Sequence, residues 1–240
     1  MTENLAVQQA GGQEILELSQ EIICCRKCPR LVKFREHVSK VRTKRFKDFD
    51  YWGRPIPGFG DDNARLIVVG LAPAAQGGNR TGRVFTGDSS AKFLVKHLYE
   101  AGFASQPTSE TRDDGLRYID CFVTAVVRCV PPENKPTTSE IDNCAPYFER
   151  DMLLHSNSRA VLALGRIAFD AVIDFAKKYR GVKETYRFVH GQKYRLAEDF
   201  PIVFASYHPS PRNTNTGKMT SKMFSDVLVE IRKYLAQESD

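Results

Sequence analysis

The sequence predicts an α/β protein, a three-layer α-β-α sandwich with a central four-stranded, mostly parallel sheet. Four short apolar runs rich in β-branched residues, 65–71, 118–127, 160–165 and 201–207, read as strands covered on both faces. Helical periodicity separates the runs, and strands alternating with helices imply parallel neighbours. Polar, Gly- and Pro-rich loops follow the first, second and fourth runs, at the strand ends where open parallel sheets hold their ligands.

The elements follow in order. Residues up to about Val41 read as helical with fraying ends and lead into FDYWGRPIPGFGDDN, a long loop. After the first strand, Asp88 or Ser89 can cap a helix that carries Phe93, Leu94, His97 and Leu98 on one side and closes at Gly102. After the second, Thr137 and Glu140 have capping-box spacing, and Ile141, Cys144, Phe148 and Met152 recur on one helical face. Ile167, Ala171, Val172 and Phe175 mark a helix before the fourth strand. Met223, Val227, Leu228, Ile231 and Leu235 mark the last one. No repeat or linker divides the core, so residues 1–240 are expected to form one domain, with a basic, cysteine-containing segment at about 22–60 packed on it.

With 42% hydrophobic and 27% charged residues, the chain has an ordinary globular composition, which excludes wholesale disorder and collagen-like structure. No apolar run approaches the roughly 20 residues of a membrane helix, and the first residues lack the features of a signal peptide. A soluble, intracellular and cytoplasmic protein with no membrane partner is expected. The net charge of +6 is unevenly spread: residues 26–54 hold eleven basic and three acidic side chains, so the remainder is slightly acidic. Interleaved with Phe34, Phe46, Phe49, Tyr51 and Trp52, that segment can track a phosphate backbone, and a solvated helix face running into a loop is the equal alternative.

The six cysteines are grouped. Cys25 and Cys28 form a CxxC followed by Pro29, and Cys129 and Cys144 are separated by fourteen residues. Intracellular thiols are kept reduced, so two pairs beside one sheet edge suggest four thiolates around one centre. Tetrahedral zinc and a [4Fe-4S] cluster both satisfy that spacing. Cys24 and Cys121 fit neither pair and read as small buried residues.

The loop after the first strand, GLAPAAQGGNRTGRVFTGD, holds Gly70, Leu71, Ala72, Pro73, Ala74, Phe85 and Asp88. Glycine at this density lets backbone N–H groups approach a ligand closely, and the absence of a Lys-Ser/Thr pair excludes a phosphate-cradling P-loop. Asp88 stands at a helix start, and Phe85 is an aromatic in an otherwise polar loop. At the end of the fourth strand, His208 precedes Pro-Ser-Pro, which fixes the direction of its imidazole and of the Ser210 hydroxyl. His37, His97, His155 and His190 lack such a setting and read as structural.

These segments, the four-cysteine pattern with RCVPPENKPT, and HPSPRN together resemble the uracil-DNA glycosylase superfamily. More narrowly, they resemble its iron-sulfur-containing family 5, the B-type glycosylases, over about residue 25 to the C-terminal helix. The resemblance implies the four-stranded sheet between helices, a [4Fe-4S] cluster on Cys25, Cys28, Cys129 and Cys144, and hydrolytic removal of deaminated bases from DNA. Other branches carry a polar residue after strand one, where this chain has Leu71 and Ala72. Asp88, further along the loop, is the implied replacement. Other branches also place an Asn at the end of the second strand. Here Val126 and Val127 stand in that region, and Asn134 is the nearest amide.

The expected protein is therefore a monomeric, monofunctional DNA glycosylase acting on uracil and other deaminated bases, hypoxanthine among them, in double- or single-stranded DNA. Asp88, His208 and Asn134 are its expected catalytic residues, with Ser210 and Arg212 on the DNA. A non-catalytic damaged-DNA-binding protein and an iron-sulfur electron carrier are the alternatives.

Overall fold

The computed structural model describes residues 2–237, with side chains from residue 12 onward. The chain opens with α1 (Thr2–Cys24) and continues as α2 (Pro29–Val41). The expected single helical stretch is broken because Pro29 occupies the start of α2, where its fixed φ and missing N–H suit a new helix. There follow β1 (Phe59–Gly60), β2 (Leu66–Gly70), α3 (Gly78–Thr81), α4 (Ser89–Glu100) and β3 (Cys121–Ala125). Then come α5 (Thr138–Leu154), β4 (Ala160–Leu164), α6 (Arg166–Arg180), β5 (Lys193–Tyr194), β6 (Ile202–Ser206), α7 (Pro211–Asn215) and α8 (Ser221–Gln237).

The sheet order is β1-β3-β2-β4-β6-β5. The four expected strands are the inner four and run parallel, with Leu66 beside Cys121 and Ala160, and Ala160 beside Ile202. Two short edges make the sheet six-stranded, as β1 and β5 pair antiparallel with β3 and β6. At two residues each, with Gly60 in one and Lys193 in the other, they carry no apolar run that a sequence pattern could reveal.

Strand side chains alternate between two cores. Ile67, Val69, Phe122, Val161, Ala163 and Val203 face Leu18, Ile22, Leu31, Phe148, Phe169 and Val172 from the first, second, fifth and sixth helices. Val68, Val123, Leu162 and Phe204 face Leu94, Leu98, Phe224, Leu228 and Ile231 from α4 and α8. On α6 the buried stripe is Ala168, Phe169, Val172, Ile173, Phe175 and Ala176. Ile167, expected on that face, is 38% exposed because it lies a helical step outside the stripe. Both expected helix starts are present: Asp88 Oδ1 accepts from Ala91 N at 2.9 Å, and Thr137 and Glu140 close a reciprocal capping box. Among the described residues no helix is long and apolar enough to cross a membrane.

β2 lies between β3 and β4, so the chain leaves the carboxyl ends of β2 and β4 toward opposite edges of the sheet. That divergence opens a crevice at the strand ends. Beneath it, Arg128 donates to Asp151 Oδ2 at 2.6 Å and to Thr124 Oγ1, and Thr124 in turn donates to the same carboxylate oxygen. All three are at most 3% exposed, so the ring ties β3 to α5. Removing one partner of a buried pair leaves the other charge uncompensated, at a cost of about 3 to 5 kcal/mol. Asp151→Ala should lose that much stability in urea unfolding, and adding Arg128→Met should recover most of it. A loss below about 1 kcal/mol would show that the ring carries no such constraint.

Candidate active site

Loops from the ends of β2, β3 and β6 enclose a cleft of about 440 Å³. Leu71, Ala72, Pro73, Ala74, Phe85, Asp88, Asn134, His208 and Ser210 all stand on its wall, together with Val84 and Ser90. Gly70 and Arg212, read as members of the same site, stand outside the wall. Gly70 ends β2 beneath the Phe85 ring, where a Cβ would lie 2.7 Å from the ring edge, so glycine is what lets the ring rest on the strand end. Arg212 is exposed on α7.

Val126 and Val127 do not occupy the cleft. Their N–H groups continue the ladder to the Gly70 and Leu71 carbonyls, and their side chains are buried in the core below the rim. Asn134 reaches the cleft from the loop after β3, with a left-handed backbone (φ 57°).

Asp88 caps α4 through Oδ1, while Oδ2 packs so closely on Gly77 that a Cβ there would overlap it. Burial raises the Asp88 pKa above its ordinary value, against the pull of the Ala91 and Ser90 N–H groups and the Arg80 charge. His208 leaves the end of β6 beside Gly165, which has a positive φ of 94°, and Asn213 Nδ2 donates to the His208 carbonyl at 2.8 Å. Behind it, the Tyr207 N–H donates to His190 Nδ1 at 3.2 Å, and the two rings stack at 4.8 Å. Burial depresses the His208 pKa to about 4, so its imidazole is neutral at physiological pH. Its ring lies 6.0 Å from that of Phe85 at 29°, leaving two flat faces side by side in the cleft.

Phe85 itself has φ 44°, a conformation that residues with a Cβ rarely adopt and that concentrates at functional sites. The sequence carries one hint of it, the flanking Gly82 and Gly87, both also at positive φ.

The fold agrees with the comparisons to known proteins. A family model described as the uracil DNA glycosylase superfamily matches residues 57–232, which include all three rim loops. The chain belongs to the uracil DNA glycosylase superfamily. It is 46% identical to a type-5 uracil-DNA glycosylase of Pyrobaculum aerophilum over 86% of this chain and 87% of that protein. It is also 46% identical to one of Thermus thermophilus over 89% and 95%. A type-4 uracil-DNA glycosylase of Sulfurisphaera tokodaii is 28% identical over 88% of this chain and 82% of its own length.

In this superfamily member a second, smaller cleft is lined by Cys25, Cys28, Cys129 and Cys144, with Arg35 and Tyr147. Arg35 Nη1 donates to Cys129 Sγ at 3.0 Å, the Arg128 N–H to Cys144 Sγ at 3.4 Å and Asn143 Nδ2 to Cys28 Sγ at 3.6 Å. Burial pushes the Cys129 thiol up to about 12 and raises those of Cys144 and Cys28. Arg35 is 2% exposed, its Nε has no partner, and no carboxylate pairs with it among the described residues. Four sulfur donors beside a buried, uncompensated cation therefore fit an anionic group bound through thiolates. Among the described residues no group of three or more His, Cys, Asp or Glu side chains is arranged so that it could hold a metal ion. Cys121 is buried as expected, whereas Cys24 is exposed because it ends α1 on the outer side of the turn.

The basic segment divides. Arg35 turns inward, Arg30 pairs with Glu140 at 2.7 Å and Arg26 with Glu36 at 2.6 Å, while Lys44, Arg45 and Lys47 are exposed. That exposed strip lies against the cleft loop, with Arg80 stacked 4.2 Å from the Phe46 ring.

The His208 imidazole should titrate near 4 rather than near 6.5. Because the folded value lies below the unfolded one, the unfolded chain takes up the proton first as pH falls, and folding loses stability between about 6.5 and about 4. His208→Ala should reduce acid destabilisation in that window. Nitrogen-resolved NMR that finds an imidazolium at pH 6 would contradict the burial argument.

Proposed function

We propose that the protein hydrolyses the N-glycosidic bond of uracil and other deaminated bases in DNA, acting in repair on a nucleotide flipped out of the helix. The observation that carries this reading is one cleft wall that holds a carboxylate, a neutral imidazole and an unsheltered aromatic face. Kinship with proteins named uracil-DNA glycosylases supports the choice of substrate.

The flipped base slides against Phe85, gaining the stacking that the duplex loses. The backbone of residues 71–74 faces its carbonyls, and Asn134 offers an amide at the mouth. Breaking the bond leaves a cationic sugar and an anionic base, so the site needs a negative group for the first and a donor for the second. Asp88 is the negative group, stabilising the cation and orienting the water that attacks it. His208, neutral, donates an N–H to the base oxygen where charge collects and need not give up its proton. Ser210 and Arg212, at the start of α7, and the exposed Lys44, Arg45 and Lys47 hold the flanking phosphates.

Cys25, Cys28, Cys129 and Cys144 would hold a [4Fe-4S] cluster, whose contribution when bound is to cross-link the N-terminal helices to the loop after β3, since hydrolysis transfers no electrons. The side-chain wall around the base is mostly apolar, so the base edge is read largely by backbone. Such a cleft selects weakly, and hypoxanthine is accepted beside uracil.

Single-turnover excision from matched duplexes holding uracil or hypoxanthine tests the reading. The parent protein should release both bases, and Asp88→Asn and His208→Ala should each be slower by about 100-fold to 1,000-fold with little change in DNA affinity. Asp88→Asn keeps a capping oxygen, so its loss reports charge. The raised Asp88 pKa also places the acid limb of the rate profile above 3.8, and that limb should vanish in Asp88→Asn. An Asp88→Asn protein as fast as the parent would remove Asp88 from the mechanism, and strict uracil specificity would refute the weakly selective cleft.

Protein purified without oxygen should contain about four iron and four sulfide per chain. Serine at any of the four cysteines should lower that content, and Cys24→Ser and Cys121→Ser should not. Stoichiometric zinc without sulfide would replace the cluster in this reading.

A further inference from the structure

The loop after β2 is held from behind by a segment that has no part in the cleft wall. Arg83 is 4% exposed and spends its guanidinium on Thr86 and on residues 109–114: Nη2 bonds both Asp114 carboxylate oxygens at 2.8 and 2.9 Å and Ser109 Oγ at 2.9 Å, Nη1 bonds the Arg112 carbonyl, and Nε bonds Thr86 Oγ1 at 2.9 Å. Thr86 and Ser109 hydroxyls lie 2.7 Å apart, and Ser109 Oγ lies 3.0 Å from the Phe85 carbonyl. Both hydroxyls are buried.

The direction of this chain follows from its first member. Arginine has no acceptor, so Thr86 Oγ1 can only accept from Arg83, and a carbonyl has no donor, so Ser109 can only donate to Phe85. With Ser109 donating to Phe85, the proton between the two hydroxyls comes from Thr86, whose other acceptor, the Val84 carbonyl, lies farther off at 3.2 Å. A run of hydrogen bonds, Arg83 to Thr86 to Ser109 to the Phe85 carbonyl, points one way and ends on the peptide group of the residue with φ 44°. The Gly87 N–H closes the turn on the Ser109 carbonyl at 2.8 Å.

We infer that Arg83, Thr86, Ser109 and Asp114 are positioning residues that hold Phe85 in its left-handed conformation and so aim its ring into the base cleft beside His208. Asp114 fixes the guanidinium: its burial would raise its pKa, but the Leu116 N–H, the Arg83 side chain and the Glu110 N–H together bring it below the ordinary value. The ring is aimed by the carbonyl anchor because φ at Phe85 sets the direction of its Cβ, and without the anchor the residue returns to negative φ and the ring leaves the cleft. The inference rests on the base-excision reading for its effect on rate and on the structure alone for the turn.

The test uses the full chain with three probes. Thr86→Val and Ser109→Ala break the run without adding bulk, and each should slow single-turnover uracil excision about tenfold while leaving affinity for an undamaged duplex unchanged. Thr86→Ser keeps the hydroxyl and should stay within about twofold of the parent. Hydrogen exchange followed by mass spectrometry should show faster exchange in residues 85–88 of Ser109→Ala, a readout that needs no catalysis. In a Phe85→Gly background, where glycine adopts the turn unaided and no ring remains to aim, Ser109→Ala should cost nothing further. The inference is overturned if Ser109→Ala costs as much with Phe85→Gly as without it, if Thr86→Ser is as slow as Thr86→Val, or if exchange in residues 85–88 is unchanged. If the parent excises neither base, the functional reading fails, and the exchange arm alone still decides whether the run holds the turn.

Discussion

A guanidinium removed from water has five donors to satisfy and a charge to balance, and among the described residues four such groups are buried: Arg35, Arg80, Arg83 and Arg128 are each at most 4% exposed. Arg35, Arg83 and Arg128 bond segments far apart in sequence. Arg128 joins β3 to α5 through Asp151, and Arg83 joins the loop after β2 to the 109–114 segment through Asp114 and Ser109. Arg80 has no carboxylate bonded to it among the described residues. It bonds the Gln76 and Gly87 carbonyls, which lie on either side of it in the cleft loop, and lies against Phe46 and Phe49. Among the described residues the Arg35 guanidinium bonds only a carbonyl and a sulfur. Because a buried donor left unmet costs more than a surface contact gains, these four fix loops that glycine-rich sequence would otherwise leave free.

The same desolvation acts on both titratable groups of the cleft and moves them in opposite directions, each toward its neutral form. For His208 that is useful, since a neutral imidazole donates a hydrogen bond without repelling a cationic sugar. For Asp88 it is a cost, because the proposed role needs the carboxylate. The arrangement around Asp88 offsets it: the carboxylate sits at the start of α4, accepts the Ala91 N–H and feels the Arg80 charge. The cap and the proposed catalytic charge are thus one interaction, and the helix start works against the rise that burial imposes.

How much of this was legible follows from which forces act locally. Strands buried on both faces must be apolar, so all four inner strands stand out, and Asp88, Thr137 and Glu140 mark helix starts because capping is a short-range interaction. His208 stands out because a buried strand ends there in a rigid turn. The edge strands Phe59–Gly60 and Lys193–Tyr194 were not legible, since two residues have no period. Nor was the inward turn of Arg35, which in sequence is one cation among eleven, or the backbone of Phe85. Ser109 and Asp114 lie in a polar stretch that reads as an ordinary loop, and only contacts across more than twenty residues give them a task. That the side chains of Val126 and Val127, at the strand end, turn into the core was not legible either, because whether a strand's last residues face the rim or the core depends on which neighbour continues the ladder.

The two clefts are also not independent. Arg35 donates to Cys129 Sγ and to the Cys25 carbonyl with its guanidinium, and its own carbonyl accepts from Asn79 Nδ2 at 3.2 Å. Asn79 is 1% exposed, and its N–H bonds the Ala74 carbonyl on the wall of the active-site cleft. Two residues earlier, Gly77 packs on the Asp88 carboxylate. A short run of buried contacts therefore leads from the cysteines through α2 to the carboxylate. A group bound by the cysteines would fix Arg35 by balancing its charge, and through Asn79 it would fix the loop that carries the base-facing backbone. That is a way for an inorganic group to matter to a hydrolytic site without touching the substrate and without changing its oxidation state.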